Sequence, residues 1–152
     1  MPSTRYRLKL ATWSVVREHH EPSPRLLQTP ANVARLAQEI VAIRDDDREH
    51  FWVVLLNTKH YYLMHHEVSV GTLNESLVHP REVFGPALRE GACAIILIHN
   101  HPSSDPEPSR EDRELTGRLV QCGQLLGVRV LDHLIVGNGS GRWMSMNERG
   151  YL

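Results

Sequence analysis

Residues 92–112 read ACAIILIHNHPSSDPEPSRED, and this stretch decides the fold. Its first seven residues are all apolar, which is typical of a strand covered on both faces of a sheet. A polar, proline-rich loop follows at residues 100–108, and a helix is predicted from Ser109 to about Leu126, stopping at Gly127. The stretch therefore predicts a buried strand that leads through a loop into a helix.

The sequence around this stretch predicts strands and helices in alternation. One helix is predicted from Pro30 with Thr29 as its N-cap, and another from Pro80. Further strands are predicted at residues 51–56, 61–70, 128–136 and 143–146. This order predicts an α/β sandwich around a mixed sheet.

Composition indicates one folded domain. The chain has 152 residues, of which 41% are hydrophobic and 23% charged, close to ordinary globular usage. Residues 1–28 are predicted to form an N-terminal extension, a strand followed by a proline-rich loop, and residues 29–152 the domain itself. The formal net charge of −1 provides no overall attraction for nucleic acid or for an anionic membrane.

The cysteines and the hydropathy indicate the compartment. Cys93 and Cys122 form no CxxC pattern and lie in apolar stretches, which predicts reduced, buried thiols in a cytoplasmic protein. No stretch approaches the ~20 apolar residues of a membrane span. We therefore expect a cytoplasmic protein without a membrane partner.

His99 and His101 follow the apolar run directly and are candidate metal ligands. In an extended chain, residues two apart point to the same side about 7 Å apart, so both imidazoles can converge on one ion. Ordinary hydrogen bonding would explain a bare pair of histidines equally well. Asp112 favours a metal, because it shares a helical stripe with Leu115 and Leu119, and a carboxylate facing a core must be paired or bound to a metal.

A capping box offers a competing explanation for Asp112. Ser109 would be the N-cap, and Asp112 the acidic residue three positions later. This account explains both residues without a metal but leaves the two preceding histidines unexplained. Metal ligation is therefore the favoured interpretation.

Two histidines and one carboxylate are typical of a catalytic zinc site, because they leave the fourth position open for water. Zinc lowers the pKa of that water to about 7 and polarises a bound carbonyl. Such a site also needs a general base. The candidates are Glu49, Glu67, Glu75 and Asp105, and their spacing does not choose between them.

The motif as a whole resembles a known signature. His99, Asn100, His101 and Pro102, then six residues, Ser109, two residues and Asp112 match the JAMM pattern His-x-His-Pro-x6-Ser-x2-Asp without a gap. Together with GTLNESLVHPREVF at 71–84 and LDHLIVG at 131–137, the chain closely resembles the RadC-like branch of the JAB/MPN superfamily from Thr29 onward.

This resemblance implies a single-domain JAB/MPN sandwich, which is a cytidine-deaminase-like fold, and a zinc metalloprotease acting on a peptide or protein substrate. It implies Zn²⁺ ligation by His99, His101 and Asp112. It also selects Glu49 as the general base and Ser109 as a hydrogen-bond donor to the oxyanion. An alternative for Glu49 is a solvated member of the acidic run at residues 45–49.

The family's traditional DNA-repair label leaves a second function open, that of a DNA-repair or mobile-element accessory domain that binds nucleic acid or protein. Full-length relatives of this type carry a helix-hairpin-helix region before the domain, where this chain has only some thirty residues. The resemblance therefore does not support a DNA-binding role that depends on that region, and DNA remains a possible partner that the net charge does not favour. The family usually has glycine at the position of Ser104. Whether the protein acts as a homodimer stays open.

Four further polar residues have two interpretations each. Asp132 and His133 either orient a metal-bound histidine or hold a sheet edge. Asn74 and His79 either line a substrate groove, as the resemblance implies, or are loop and cap residues.

Overall fold

The computed structural model describes residues 25–44, 47–71 and 78–152. The predicted N-terminal strand lies outside these residues. The elements are α1 (Pro30–Ile43), β1 (His50–Leu56), β2 (Tyr62–Val70), α2 (Pro80–Arg89), β3 (Ala94–His101), α3 (Arg110–Leu126), β4 (Arg129–Gly137) and β5 (Trp143–Ser145).

The five strands form one mixed sheet in the order β2-β1-β3-β4-β5. Only β3 and β4 are parallel; the other neighbouring pairs are antiparallel. Because β3 and β4 are parallel, their carboxyl ends lie at the same edge of the sheet. The helix α3 connects the two strands and begins at that edge. This confirms the predicted α/β fold with a mixed sheet and flanking helices.

The central strands alternate between two apolar layers. Trp52, Val54, Ile96 and Ile98 pack under α1, in a cluster that also buries Leu27. The intervening residues of β1 and β3 pack under α2 and α3, together with side chains of those helices: Phe51, Val53, Leu55, Ile95, Leu97, Val83, Phe84, Leu115 and Leu119. Burial on both faces explains why β1 and β3 read as continuous apolar runs.

The helices begin where the sequence predicts. Thr29 caps α1 by accepting a hydrogen bond from the backbone of Asn32, and Gly127 ends α3 in the left-handed conformation at φ 71°. Helical spacing alone would place three further apolar residues on the inward faces of their helices, but all three are exposed, each beyond the last buried residue of its helix: Ile43, Leu88 and Leu126.

The structure bears on the predictions about the two cysteines and about membrane spans. Cys93 and Cys122 are free thiols, but both are only partly buried, and Cys122 packs against the apolar layer beside α2 and α3. Within residues 25–44, 47–71 and 78–152, no helix is long and apolar enough to cross a membrane.

Candidate metal centre

The carboxyl end of β3 gathers three possible metal ligands. Because β3 continues through His101, the side chains of His99 and His101 lie on the same face, the one that α3 covers. Asp112, in the first turn of α3, reaches the same point and is 3% exposed. The three residues come together as the sequence predicts.

The ligand atoms lie close to one another. His99 Nε2 is 2.9 Å from His101 Nε2. Asp112 Oδ1 lies 3.3 Å from His99 Nε2, and Asp112 Oδ2 lies 3.3 Å from His101 Nε2. All three groups fall within 4.8 Å of one another, and the described part of the chain holds no second such group of histidine, cysteine or acidic side chains. Two imidazole nitrogens with one carboxylate oxygen are donors that suit zinc.

Asp112 also caps α3. Its carboxylate accepts a hydrogen bond from the Ser109 backbone N–H at 2.7 Å, and the Ser109 hydroxyl accepts one from the Asp112 N–H at 3.0 Å. The capping box is therefore present together with the histidine cluster, so the two explanations for Asp112 are compatible. Ser109 is exposed, and its hydroxyl proton is not used by the cap.

The charges of the cluster suit a cation. Burial would raise the pKa of Asp112, but its contacts with His101 and His99 outweigh burial and hold that pKa well below its usual range. Burial lowers the pKa of His99. Burial also opposes the charged form of His101, but its contacts with Asp112 and with the backbone carbonyl of Asp105 raise its pKa. Asp112 is therefore an anion that faces two imidazoles.

The orientation of His101 is set by its other ring nitrogen. His101 Nδ1 lies 2.7 Å from the backbone oxygen of Asp105. Because a carbonyl oxygen only accepts, Nδ1 carries the hydrogen, and the neutral ring presents an unprotonated Nε2 to Asp112 and His99. The residues thus fit a divalent metal ion on the chemistry of their donors.

Glu49 lies within electrostatic reach of the cluster, just before β1. Its negative charge raises the pKa of both His99 and His101, although other contacts dominate each shift. Its backbone oxygen accepts a hydrogen bond from Gly71, at the end of β2. Glu75, another candidate base, lies outside the described residues.

The two remaining candidate bases have other partners. The carboxylate of Glu67 pairs with Arg44 at 2.9 Å and with His50 Nδ1 at 3.2 Å. The carboxylate of Asp105 faces Arg142 at 3.5 Å, although its backbone carbonyl supports a histidine of the cluster. Glu49 differs from both in that its charge acts on His99 and on His101.

Asn100 holds the backbone on both sides of Glu49. It lies between the two histidines of the motif but points to the opposite face of β3, where it is 2% exposed. Its Nδ2 donates to the carbonyl of Arg48 at 2.9 Å and to Asn138 Oδ1 at 3.0 Å, and its Oδ1 accepts from the N–H of His50 at 2.7 Å. Sequence reasoning missed this role, although an amide inside a buried strand is a usable signal.

His133 and Asp132 have separate roles. His133 Nε2 lies 2.8 Å from His99 Nδ1. Asp132 contacts none of the three clustered residues; its carboxylate accepts from the N–H groups of His133 and Asn147 and from the Ser145 hydroxyl, at 2.6–3.0 Å. Asp132 thus holds the sheet edge at β5, and only His133 supports a candidate ligand.

The loop after the histidines passes very close to β4. Ser104 has a left-handed backbone with φ 65°, which explains why glycine suits this position, and its hydroxyl donates to the carbonyl of Asn138. A Cβ on Gly137 would lie 2.3 Å from the Ser104 carbonyl oxygen. The loop conformation therefore requires glycine at position 137.

His79 is a cap residue in the structure. Its Nδ1 accepts a hydrogen bond from the Arg81 N–H at 3.3 Å, at the start of α2. Asn74 lies outside the described residues, so its predicted alternatives stay open.

Known proteins resemble the chain over most of its length. A family model described as the RadC-like JAB domain matches residues 27–151. A UPF0758 protein of Rubrobacter xylanophilus is 52% identical over 131 residues, which cover 86% of this chain and 56% of the relative. A UPF0758 protein of Desulforamulus reducens is 47% identical over 127 residues, which cover 84% of this chain and 54% of the relative.

A third relative has the same extent of similarity. A UPF0758 protein of Caldanaerobacter subterraneus is 50% identical over 123 residues, covering 81% of this chain and 51% of the relative. The chain thus spans about half the length of the curated relatives it matches. Since the family match covers nearly all the described domain, the chain belongs to the RadC-like JAB domain family.

Proposed function

We propose that His99, His101 and Asp112 bind one Zn²⁺ and that the domain is a zinc-dependent hydrolase of peptide or isopeptide bonds. The observation that carries the proposal is the convergence of two imidazole nitrogens and an ionised carboxylate at the end of β3, within electrostatic reach of Glu49. When bound, zinc would supply a water acidified to a pKa of about 7 and would polarise the substrate carbonyl. Three protein ligands leave it a position for that chemistry.

Glu49 has the role of general base in this proposal. Its carboxylate accepts a proton from the attacking water and then delivers it to the nitrogen of the leaving amine, so the residue ends the cycle ionised. Asn100 supports this role by bonding to the backbone immediately before and after Glu49. The base is thereby held on a structured segment beside the cluster.

Ser109 has the role of an oxyanion donor. Its oxygen already accepts a backbone hydrogen bond at the start of α3, which orients the hydroxyl, while its proton remains available to the carbonyl oxygen of the substrate. A donor aimed at developing negative charge stabilises the transition state more than the ground state. Ser109 therefore contributes to the rate without binding the metal.

Metal analysis tests the zinc assignment. We expect about one zinc per chain in protein purified without chelator, and none in His101→Ala, because two ligands do not hold the ion. Cys93→Ala and Cys122→Ala are matched controls, since a thiol site elsewhere would lose zinc with them. Absence of zinc from the wild type, before and after reconstitution, would overturn the assignment.

Cleavage of a proteome-derived peptide library, read by mass spectrometry of new N-termini, tests the reaction. We expect the wild-type protein to generate new N-termini, and a chelator should abolish them. Glu49→Gln should generate at least about 10²-fold fewer, because it removes the proton acceptor at nearly constant shape. Zinc content and thermal stability should be retained. Glu67→Gln is the control, and activity of Glu49→Gln equal to that of the wild type would contradict the role of Glu49.

A further inference from the structure

Two buried polar side chains lie behind His99 and have no part in the reaction proposed above. His133, on β4, and Thr116, on α3, are both 0% exposed. His133 Nε2 is 2.8 Å from His99 Nδ1, and His133 Nδ1 is 2.6 Å from Thr116 Oγ1. Thr116 Oγ1 is in turn 2.6 Å from the backbone oxygen of Asp112. These contacts form an unbroken chain between two candidate metal ligands.

The direction of each hydrogen bond follows from the last acceptor. The Asp112 backbone oxygen carries no hydrogen, so the single hydroxyl proton of Thr116 must lie between the two oxygens, which would otherwise repel each other at 2.6 Å. Met146 Sδ, at 3.5 Å, is a weaker and more distant acceptor for that proton. Thr116 Oγ1 therefore accepts from His133.

The remaining protons are then determined one by one. Since Thr116 accepts, His133 carries its hydrogen on Nδ1 and has a lone pair on Nε2. That lone pair accepts from Nδ1–H of His99. A neutral His99 with its hydrogen on Nδ1 has a bare Nε2, which is the atom that faces His101 and Asp112.

We propose that Thr116 and His133 are positioning residues that hold His99 in the Nδ1–H tautomer, so that its Nε2 is available to a divalent cation. This inference rests on the proposed zinc site. The chain of bonds also ties the helix that carries Asp112 to the strand that carries His99, because Thr116 lies one turn after Asp112 in α3. The hydroxyl of Thr116 thus acts on both ligands.

The tautomer can be measured without a metal or a substrate. Long-range ¹H–¹⁵N spectra of labelled wild-type protein, recorded zinc-free and again zinc-loaded at one pH, should show His99 with its hydrogen on Nδ1 in both forms. A hydrogen on Nε2 of His99 in the zinc-free protein would overturn the inference. Because the spectrum of the zinc-free wild type needs no zinc binding, it separates this inference from failure of the zinc site.

Zinc affinity provides the second measurement, by competition with a chromophoric chelator. Thr116→Val keeps the shape and removes the hydroxyl. We expect zinc to bind about 10-fold more weakly, the lower end of the effect of losing a partner of a metal-bound histidine, because Thr116 acts on His99 through His133. Thr116→Ser loses the buried methyl group but keeps the hydroxyl, and it should retain most of the affinity. Equal affinities of Thr116→Val and the wild type would overturn the inference.

Discussion

At the carboxyl end of β3, the two faces of the sheet carry different polar residues. On the face under α1, the apolar residues of β3 end in one buried amide, Asn100, which bonds to backbone groups around Glu49. On the face under α3, they end in His99 and His101, which meet Asp112. One face therefore gathers candidate metal ligands, and the other anchors the segment that carries the candidate base.

The connection between the strands explains this difference. The crossover from β3 to its parallel neighbour β4 passes through α3, so the first turn of α3 and the ends of both strands lie at one edge. A helix start can present a carboxylate to histidines on that face. We therefore expect substitutions on the α3 face to affect metal binding, and those on the α1 face to affect turnover with the metal retained.

The largest effect is expected from Asp112→Asn, on the α3 face. The amide can still accept a hydrogen bond from Ser109, but it lacks the negative charge that the two imidazoles face, so bound zinc should fall from about one per chain to none after dialysis. Ser109→Ala is the comparison, because it removes the cap and should cost about 1 kcal/mol of stability without loss of zinc. Full zinc content in Asp112→Asn, with only a cap-sized loss of stability, would assign Asp112 to capping alone.

Asn100→Asp, on the α1 face, should reduce turnover and leave the zinc content unchanged. The new carboxylate oxygen would face the Arg48 carbonyl, which would lose its hydrogen-bond donor. The segment that carries Glu49 should then shift. A misplacement of about 1 Å can lower the rate ~10²-fold. Stability should fall by roughly 1–3 kcal/mol, the cost of a buried unsatisfied group. Peptide cleavage and zinc content measured together test this expectation.

Asn138→Ala is the matched control for that experiment. It removes only the third hydrogen bond of Asn100 and keeps both bonds to the backbone around Glu49. Its effect on turnover should therefore be smaller. Loss of zinc from Asn100→Asp would contradict the division of roles between the two faces.

The smallest effect expected is on the pH dependence of stability of the metal-free protein. Burial lowers the pKa of His99 and of His133, so between their folded pKa and about 6.5 the unfolded chain binds protons that the folded chain does not. The free energy of unfolding should then fall as pH decreases below about 6.5, by at most ~1.4 kcal/mol per pH unit for each group. His65, whose pKa burial also lowers, acts in the same direction.

Two other groups modify this pH profile. His101, whose pKa is raised despite its burial, stabilises the fold below 6.5 and partly offsets the loss. Asp112, with its lowered pKa, adds a further loss of stability below about pH 4, where the unfolded carboxyl takes up a proton. Urea unfolding in the presence of a chelator, from pH 5 to 8, measures the net effect. A stability that is flat or rises toward pH 5 would contradict the expectation, and His133→Gln should flatten the slope.

Much of the fold and part of the candidate site could be predicted from the sequence, because those features depend on neighbours in the chain. The alternation of β3 places His99 and His101 on one side, and helical spacing turns Asp112 inward. Thr29, Ser109 and Gly127 mark helix ends through local capping chemistry. Periodicity failed at the last turns of helices, where Ile43 and Leu126 extend past the buried part of their elements.

The sequence by itself determined the strand that ends in two histidines, the helix that begins with Ser109 and Asp112, and the apolar faces between them. Only the tertiary structure decided which distant groups meet these residues. Asn100 reaches the backbone beside Glu49 from fifty positions away, and His133 reaches His99 from thirty-four. The physical reason is that a local pattern specifies the side of its own element on which a residue lies, whereas sheet order and the crossover through α3 specify what lies opposite it.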